Sequence, residues 1–208
     1  MMSISPAVDT IPLGPQQNGI RMTPDEFDAV VEYDKSFHYE LIHGVVVVNP
    51  IPSYEERDPN GELEYLLRSY RDHHAQGSSL DATVAEDYVR TGDSRRRADR
   101  VIWAGLGRHP NPALDVPTIV VEFVSAGRRN WRRDYVEKRD EYLAAGVVEY
   151  WVIDRFGRMM TVFHKKNDGH DERIVKENEV YAPPLLPGFE LPLARILALA
   201  DRWTDTNP

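Results

Sequence analysis

Two acids sit where charge is expensive. Glu122 lies inside the apolar run formed by Ile119, Val120, Val121, Phe123 and Val124, and Asp99 stands just ahead of Val101, Ile102 and Trp103. Desolvating a carboxylate is costly unless it is paired or bound to a cation, so two such acids on neighbouring strands suggest a cation between them. A third group joins them from a helix expected over residues 131–145. Its apolar stripe takes Tyr135, Val136, Tyr142 and Leu143, and Lys138 lies on that stripe, three residues after Tyr135 and four before Tyr142. The lysine therefore faces the sheet. Two carboxylates and an inward lysine are the minimal equipment for metal-dependent phosphodiester hydrolysis. Hard oxygen ligands suit magnesium, and a bound cation acidifies water and neutralises phosphate charge. The alternative for Lys138 is that its stem passes Tyr135 and Tyr142 and delivers the ammonium to solvent.

The elements that must position these groups follow from the punctuation of the chain. Thr23, Pro24, Asp25 and Glu26 form a capping box with proline at the first helical position, which predicts a helix over 24–34. Residues 39–48 read as two short strands around His43 and Gly44. Leu63, Leu66, Leu67 and Tyr70 mark a helix over 60–76. His73 and His74 at its end point about 100° apart and suit the helix dipole better than a shared ion. Strands are predicted at 81–89 and 97–103, joined by Thr91, Gly92, Asp93 and Ser94. A strand at 117–125 precedes the lysine-bearing helix, which Gly146 stops. A strand pair at 147–154 and 158–165, a short strand at 174–176 and an amphipathic helix at 193–203 complete the order. That order means α/β with a mixed central β-sheet flanked by helices. One domain over 21–208 is expected, after a flexible arm at 1–20 that carries Pro6, Pro12, Gly14, Pro15 and Gly19.

The segments VVEFVSAGRR from Val120, DYVEKRDEYLAAGVVEYWVID from Asp134 and PLLPGFELPL from Pro184 resemble the Uma2 family of endonucleases, within the PD-(D/E)XK nuclease superfamily. The resemblance runs from Tyr39 to Leu193 and is specific over 117–154. It implies a restriction-endonuclease-like fold, with Mg2+ (or Mn2+) held by Asp99, Glu122 and the backbone carbonyl of Phe123. It also implies Lys138 as the catalytic lysine, DNA as substrate, and Glu40 of the YELIHG segment as a further site acid. The alternative for Glu40 is an ion pair with an arginine at a strand edge. The pattern departs twice from its relatives: Ala98 stands where a proline precedes the aspartate, and Val124 occupies the superfamily's usual lysine position. In the Uma2-like pattern the lysine moves to the following helix, as Glu137 and Lys138 ahead of Tyr142.

Composition narrows the function classes. A chain of 208 residues, 41% hydrophobic and 28% charged, reads as an ordinary globular protein. Without cysteine it has neither disulfides nor thiolate metal sites, and a reducing cytoplasm is the simplest home. No apolar run is long enough to span a bilayer, and residues 1–14 lack signal-peptide features. A net charge of −9 argues against coating nucleic acid nonspecifically. Locally, however, Arg95, Arg96, Arg97 and Arg100 flank the first acid, and Arg128, Arg129, Arg132, Arg133 and Arg139 follow the second. They read either as a basic rim for a polyanion or as a solvated face paired with Asp134, Glu137 and Asp140. Ser125 lacks a nucleophile elbow, and His109, His164 and His170 lack ligand spacing. Trp103, Trp131, Tyr150 and Trp151 read as core aromatics. Two function classes follow. One is a metal-dependent endonuclease acting on DNA, with a homodimer supplying two centres for two strands. The other is a catalytically silent fold used for binding or self-association, favoured by the acidic balance and the absence of a DNA-reading module.

Overall fold

A capping box opens the described chain as its residues dictate. In the computed structural model, which describes residues 11–127 and 132–204, the Thr23 hydroxyl accepts from Glu26 N at 3.2 Å, and the Glu26 carboxylate accepts from Thr23 N at 2.7 Å. The helix they start, α1 (Pro24–Asp28), is shorter than expected. The β-branched pair Val30 and Val31 disfavours its continuation, and Tyr33 bridges to Leu13 instead.

The chain forms two compact units. The first takes residues 1–51 and 90–97. It holds α1 and an antiparallel hairpin of β1 (Phe37–Ile42) and β2 (Val45–Pro50), in register from Phe37↔Pro50 to Ile42↔Val45. His43 and Gly44 both adopt left-handed backbone, with φ of 48° and 73°, as a two-residue hairpin turn requires. Residues 11–20, expected within the arm, are stitched into this unit: Leu13 N donates to Glu32 O at 3.0 Å and Gly19 N to Val46 O at 2.8 Å. The rest of the expected arm lies outside the described residues.

The second unit takes residues 52–89 and 98–208. It begins with α2 (Tyr54–His73), which starts earlier than expected because Ser53 and Glu56 form a capping box, Ser53 N donating to Glu56 Oε2 at 2.8 Å. Pro59 is accommodated inside the helix. Then come β3 (Leu80–Thr91) and β4 (Ser94–Ala104), whose turn-side ends belong to the first unit. Next are β5 (Ile119–Phe123), a π-helical turn (Arg133–Lys138) running into α3 (Arg139–Ala145), and β6 (Glu149–Asp154). The chain closes with β7 (Met159–Lys166), β8 (Gly169–Lys176), a small pair of β9 (Val180–Tyr181) and β10 (Leu191–Pro192), and α4 (Leu193–Thr204).

The sheet is mixed, in the order β2-β1-β4-β5-β6-β7-β8, with β3 also on β4. The β5–β6 pairing is parallel, and its crossover is the helical segment carrying Lys138. β8 is longer than expected: His170, Asp171, Glu172 and Arg173 break the apolar signal, as charged residues do on an edge strand. In the second unit the two sheet faces have separate cores. Leu63, Leu67, Ile196 and Leu197 of α2 and α4 pack with Ile119, Val121 and Trp151; Tyr135, Tyr142 and Leu143 pack with Val120, Val152 and Trp103. The odd and even residues of β5 thus serve opposite cores, as a strand buried on both faces must. Among the described residues no helix is long and apolar enough to cross a membrane.

Candidate active site

Register brings the two acids together. β4 and β5 pair antiparallel through Ile102↔Ile119, Val101↔Val120 and Arg100↔Val121. One step further sets Asp99 opposite Glu122, and directly opposed residues share a face of the sheet. There the ladder gives way to a side chain: the Asp99 carboxylate accepts from Phe123 N at 2.6 Å. In an extended strand the N–H and C=O of one residue share an edge. The Phe123 carbonyl is therefore turned toward β4 and the acids.

Lys138 reaches the same place from above. It is 3% exposed, and its Nζ donates to Glu122 Oε1 at 2.8 Å; the Tyr142 hydroxyl donates to the same oxygen at 3.0 Å. The helical phase read from Tyr135 and Tyr142 is the one observed, and the ammonium ends on a buried carboxylate. The turn that carries it is π-helical, a local form frequent at functional sites.

The electrostatics are those of crowded acids. Burial pushes the Glu122 carboxyl up to about 7; Lys138 opposes the rise and the nearby Asp134 adds to it. Asp99 keeps part of its surface open, yet burial, then the charges of Glu122 and Glu86, raise it well above the ordinary carboxylate range. Such a pair is relieved by a cation. Among the described residues no group of three acidic or histidine side chains is close enough to hold one alone. Asp99, Glu122 and the Phe123 carbonyl are hard oxygen donors of the kind magnesium takes, and the donor set fits the cation.

Glu40 has a different setting. It is buried in the first unit, where Oε1 accepts from Arg97 N at 3.0 Å and Oε2 from Asn49 Nδ2 at 2.9 Å. Of the two readings of the arginines, a basic rim or a paired face, pairing and burial account for most of them. Arg95 clasps Asp28 at 2.9 Å within the first unit, Arg96 and Arg100 are fully buried, and Arg132, Arg133 and Arg139 pair with Glu137, Asp134 and Asp140 at 3.6, 2.9 and 2.8 Å. Arg128, Arg129 and Trp131 lie outside the described residues.

Three further residues bear on the acids. Asn60 of α2 donates from Nδ2 to the Asp99 carbonyl at 2.8 Å. Glu86, with a left-handed φ of 57° inside β3, sets its charge against Asp99. Asp134, which one of the two readings of the arginines put on a solvated face, is fully buried. Its position four residues before Lys138 was the available signal, since i and i+4 share a helix face.

Comparison with known proteins bears on the family and the fold. No curated protein matches the chain. A solved structure from Anabaena variabilis ATCC 29413, described as "a putative nuclease belonging to DUF820", matches with a TM-score of 0.67 at 14% identity, covering 86% of this chain and 99% of that one. At that identity the match speaks for the fold alone. The family model Uma2, described as "Putative restriction endonuclease", matches residues 24–194. The chain belongs to the Uma2 family.

Proposed function

We propose that this chain is a metal-dependent endodeoxyribonuclease whose centre is Asp99, Glu122 and Lys138. The observation that carries the reading is the opposition of a half-buried and a buried carboxylate, both pKa-raised, beneath a buried lysine. Perturbed acids around one cation-ready point are what a hydrolytic centre needs and what a structural core avoids. Asp99, Glu122 and the Phe123 carbonyl would hold Mg2+ or Mn2+. When bound, the cation supplies charge neutralisation at the scissile phosphate and acidification of a water.

The chain's own groups do the rest. Phe123 N–H fixes one oxygen of Asp99, and Tyr142 fixes Glu122, so neither carboxylate must reorganise on binding. The Lys138 ammonium, held 2.8 Å from Glu122 Oε1, stabilises negative charge that builds on the phosphoryl oxygens or orients the attacking water. DNA is the substrate class that the nuclease family favours, and a two-fold dimer would supply one centre per strand.

The test is Mg2+- or Mn2+-dependent nicking of plasmid DNA. Asp99→Ala, Glu122→Ala and Lys138→Ala should each lower it by at least about a hundredfold while the variants stay folded. Undiminished activity in all three would sink the assignment. Absence of nicking, together with no rise in Tm up to millimolar metal, would turn the reading to the silent binding fold.

A further inference from the structure

Asp134 is a buried acid without a structural explanation. It sits in the π-helical turn, fully buried. Oδ1 accepts from Arg133 Nε at 2.9 Å, whereas Oδ2 is buried with no hydrogen-bond partner among the described residues. A buried carboxylate oxygen left unpaired is strongly unfavourable, and in native proteins such a group calls for a reason. The surroundings make it worse, because the charge of Asp134 acts on Glu122 in the direction of repulsion. The two acids share a wall. The Tyr150 hydroxyl donates to the Asp134 carbonyl at 2.9 Å, the Tyr150 ring meets Tyr142 edge-on at 5.2 Å, and the Tyr142 hydroxyl holds Glu122.

We propose that Asp134 is an outer acid of the same centre: its unpaired Oδ2 receives a water of a hydrated divalent cation held at Asp99 and Glu122, and its charge raises the centre's affinity for that cation. Asp134 is thus a positioning residue, acting through the cation's hydration and not by direct ligation. Arg133 moderates the effect from the other oxygen. The inference rests on the metal-dependent reading of Asp99 and Glu122.

The test is Mn2+ binding to the full chain by titration calorimetry, without DNA. Asp134→Asn keeps the shape and an acceptor for Arg133, and should weaken Mn2+ binding by about tenfold, in the range seen when outer-shell partners of metal ligands are lost. Arg133→Gln, which uncovers the Asp134 charge, should tighten binding. Unchanged affinity in a folded Asp134→Asn overturns the inference. Should that variant not fold, unchanged or weaker binding in Arg133→Gln overturns it as well. Failure of the unaltered protein to bind Mn2+ defeats the metal-dependent reading itself and this inference with it; binding there with Asp134→Asn unaffected defeats this one alone.

Discussion

Asp99 and Arg100 are neighbours on β4 and face opposite sides of the sheet, and the two polar networks they enter differ in kind. Arg100, 1% exposed, is closed on every side: Nε donates to Asn60 Oδ1 at 2.7 Å, Nη1 to Thr83 Oγ1 at 2.9 Å, and Nη2 to Asn60 O at 3.1 Å and Glu64 Oε2 at 2.9 Å. Its charge meets an opposite one. Burial alone would raise Glu64, but bonds from Arg100 and Arg68 outweigh it and hold the carboxyl below its usual value. Around Asp99 the balance is reversed: burial and the neighbouring acids outweigh the Lys138 ammonium and the more remote Arg133, and the carboxyls are raised in place of depressed. A satisfied buried network makes a core rigid, whereas an unsatisfied one is kept only where something else uses it. The two are joined at Asn60, whose Nδ2 holds the Asp99 carbonyl while its Oδ1 holds Arg100. The closed network thus fixes the strand on which the open one stands.

Among single substitutions the largest expected loss of stability comes from breaking the closed side. Arg100→Ala leaves the buried Asn60 side-chain oxygen without its donor, empties the space of a buried side chain and takes one of two arginines from the half-buried Glu64, which keeps Arg68. It should cost about 2–3 kcal/mol in urea unfolding. A loss under about 1 kcal/mol would show that the network is not structural.

The open side should betray itself through pH. The folded pKa of Glu122 is raised from 4.5 to about 7, so between those values the native state binds the extra proton and the unfolded chain does not. Its contribution to stability is then fully present below 4.5 and is lost as pH rises toward 7, amounting to about 3 kcal/mol for the metal-free protein. The raised Asp99 acts in the same direction. Urea midpoints across this window should therefore fall with pH, and saturating Mn2+ should flatten or reverse the slope. A metal-free midpoint that climbs from pH 4.5 to 7 would contradict the crowding of these acids.

The same contrast explains what was legible in the sequence. Lys138 was readable because Tyr135 and Tyr142 fix the phase of its helix, and Glu122 because a charge inside a β-branched run stands out. Arg100 was not readable. It sits within the run Arg95, Arg96, Arg97, Arg100, where each arginine looks alike, and its partners Asn60, Glu64 and Thr83 are remote in sequence, so burial could not be inferred from spacing. Asp134 lay in the helical phase of Lys138 but was hidden by arginine neighbours that offered a simpler surface pairing. Most elements were recovered from caps, breakers and periodicity, with β8 underestimated because an exposed edge strand carries little apolar pattern.

The finest comparison removes one hydroxyl from each side. Thr83→Val takes an acceptor from the Arg100 guanidinium, in a network with no solvent to replace it, and should cost about 2 kcal/mol, as lost hydrogen bonds to charged groups do. Tyr142→Phe takes a donor from Glu122, which keeps Lys138 on the same oxygen and is partly protonated near pH 7, so the cost should be nearer about 1 kcal/mol. Catalysis should rank them the other way. Thr83→Val touches nothing that meets the scissile phosphate and should leave metal-dependent nicking unchanged. Tyr142→Phe frees Glu122 to rotate and should lower nicking by about tenfold while the fold holds. Urea unfolding and nicking measured on both variants decide the matter. Equal losses of activity in the two would erase the distinction between the closed network and the open one.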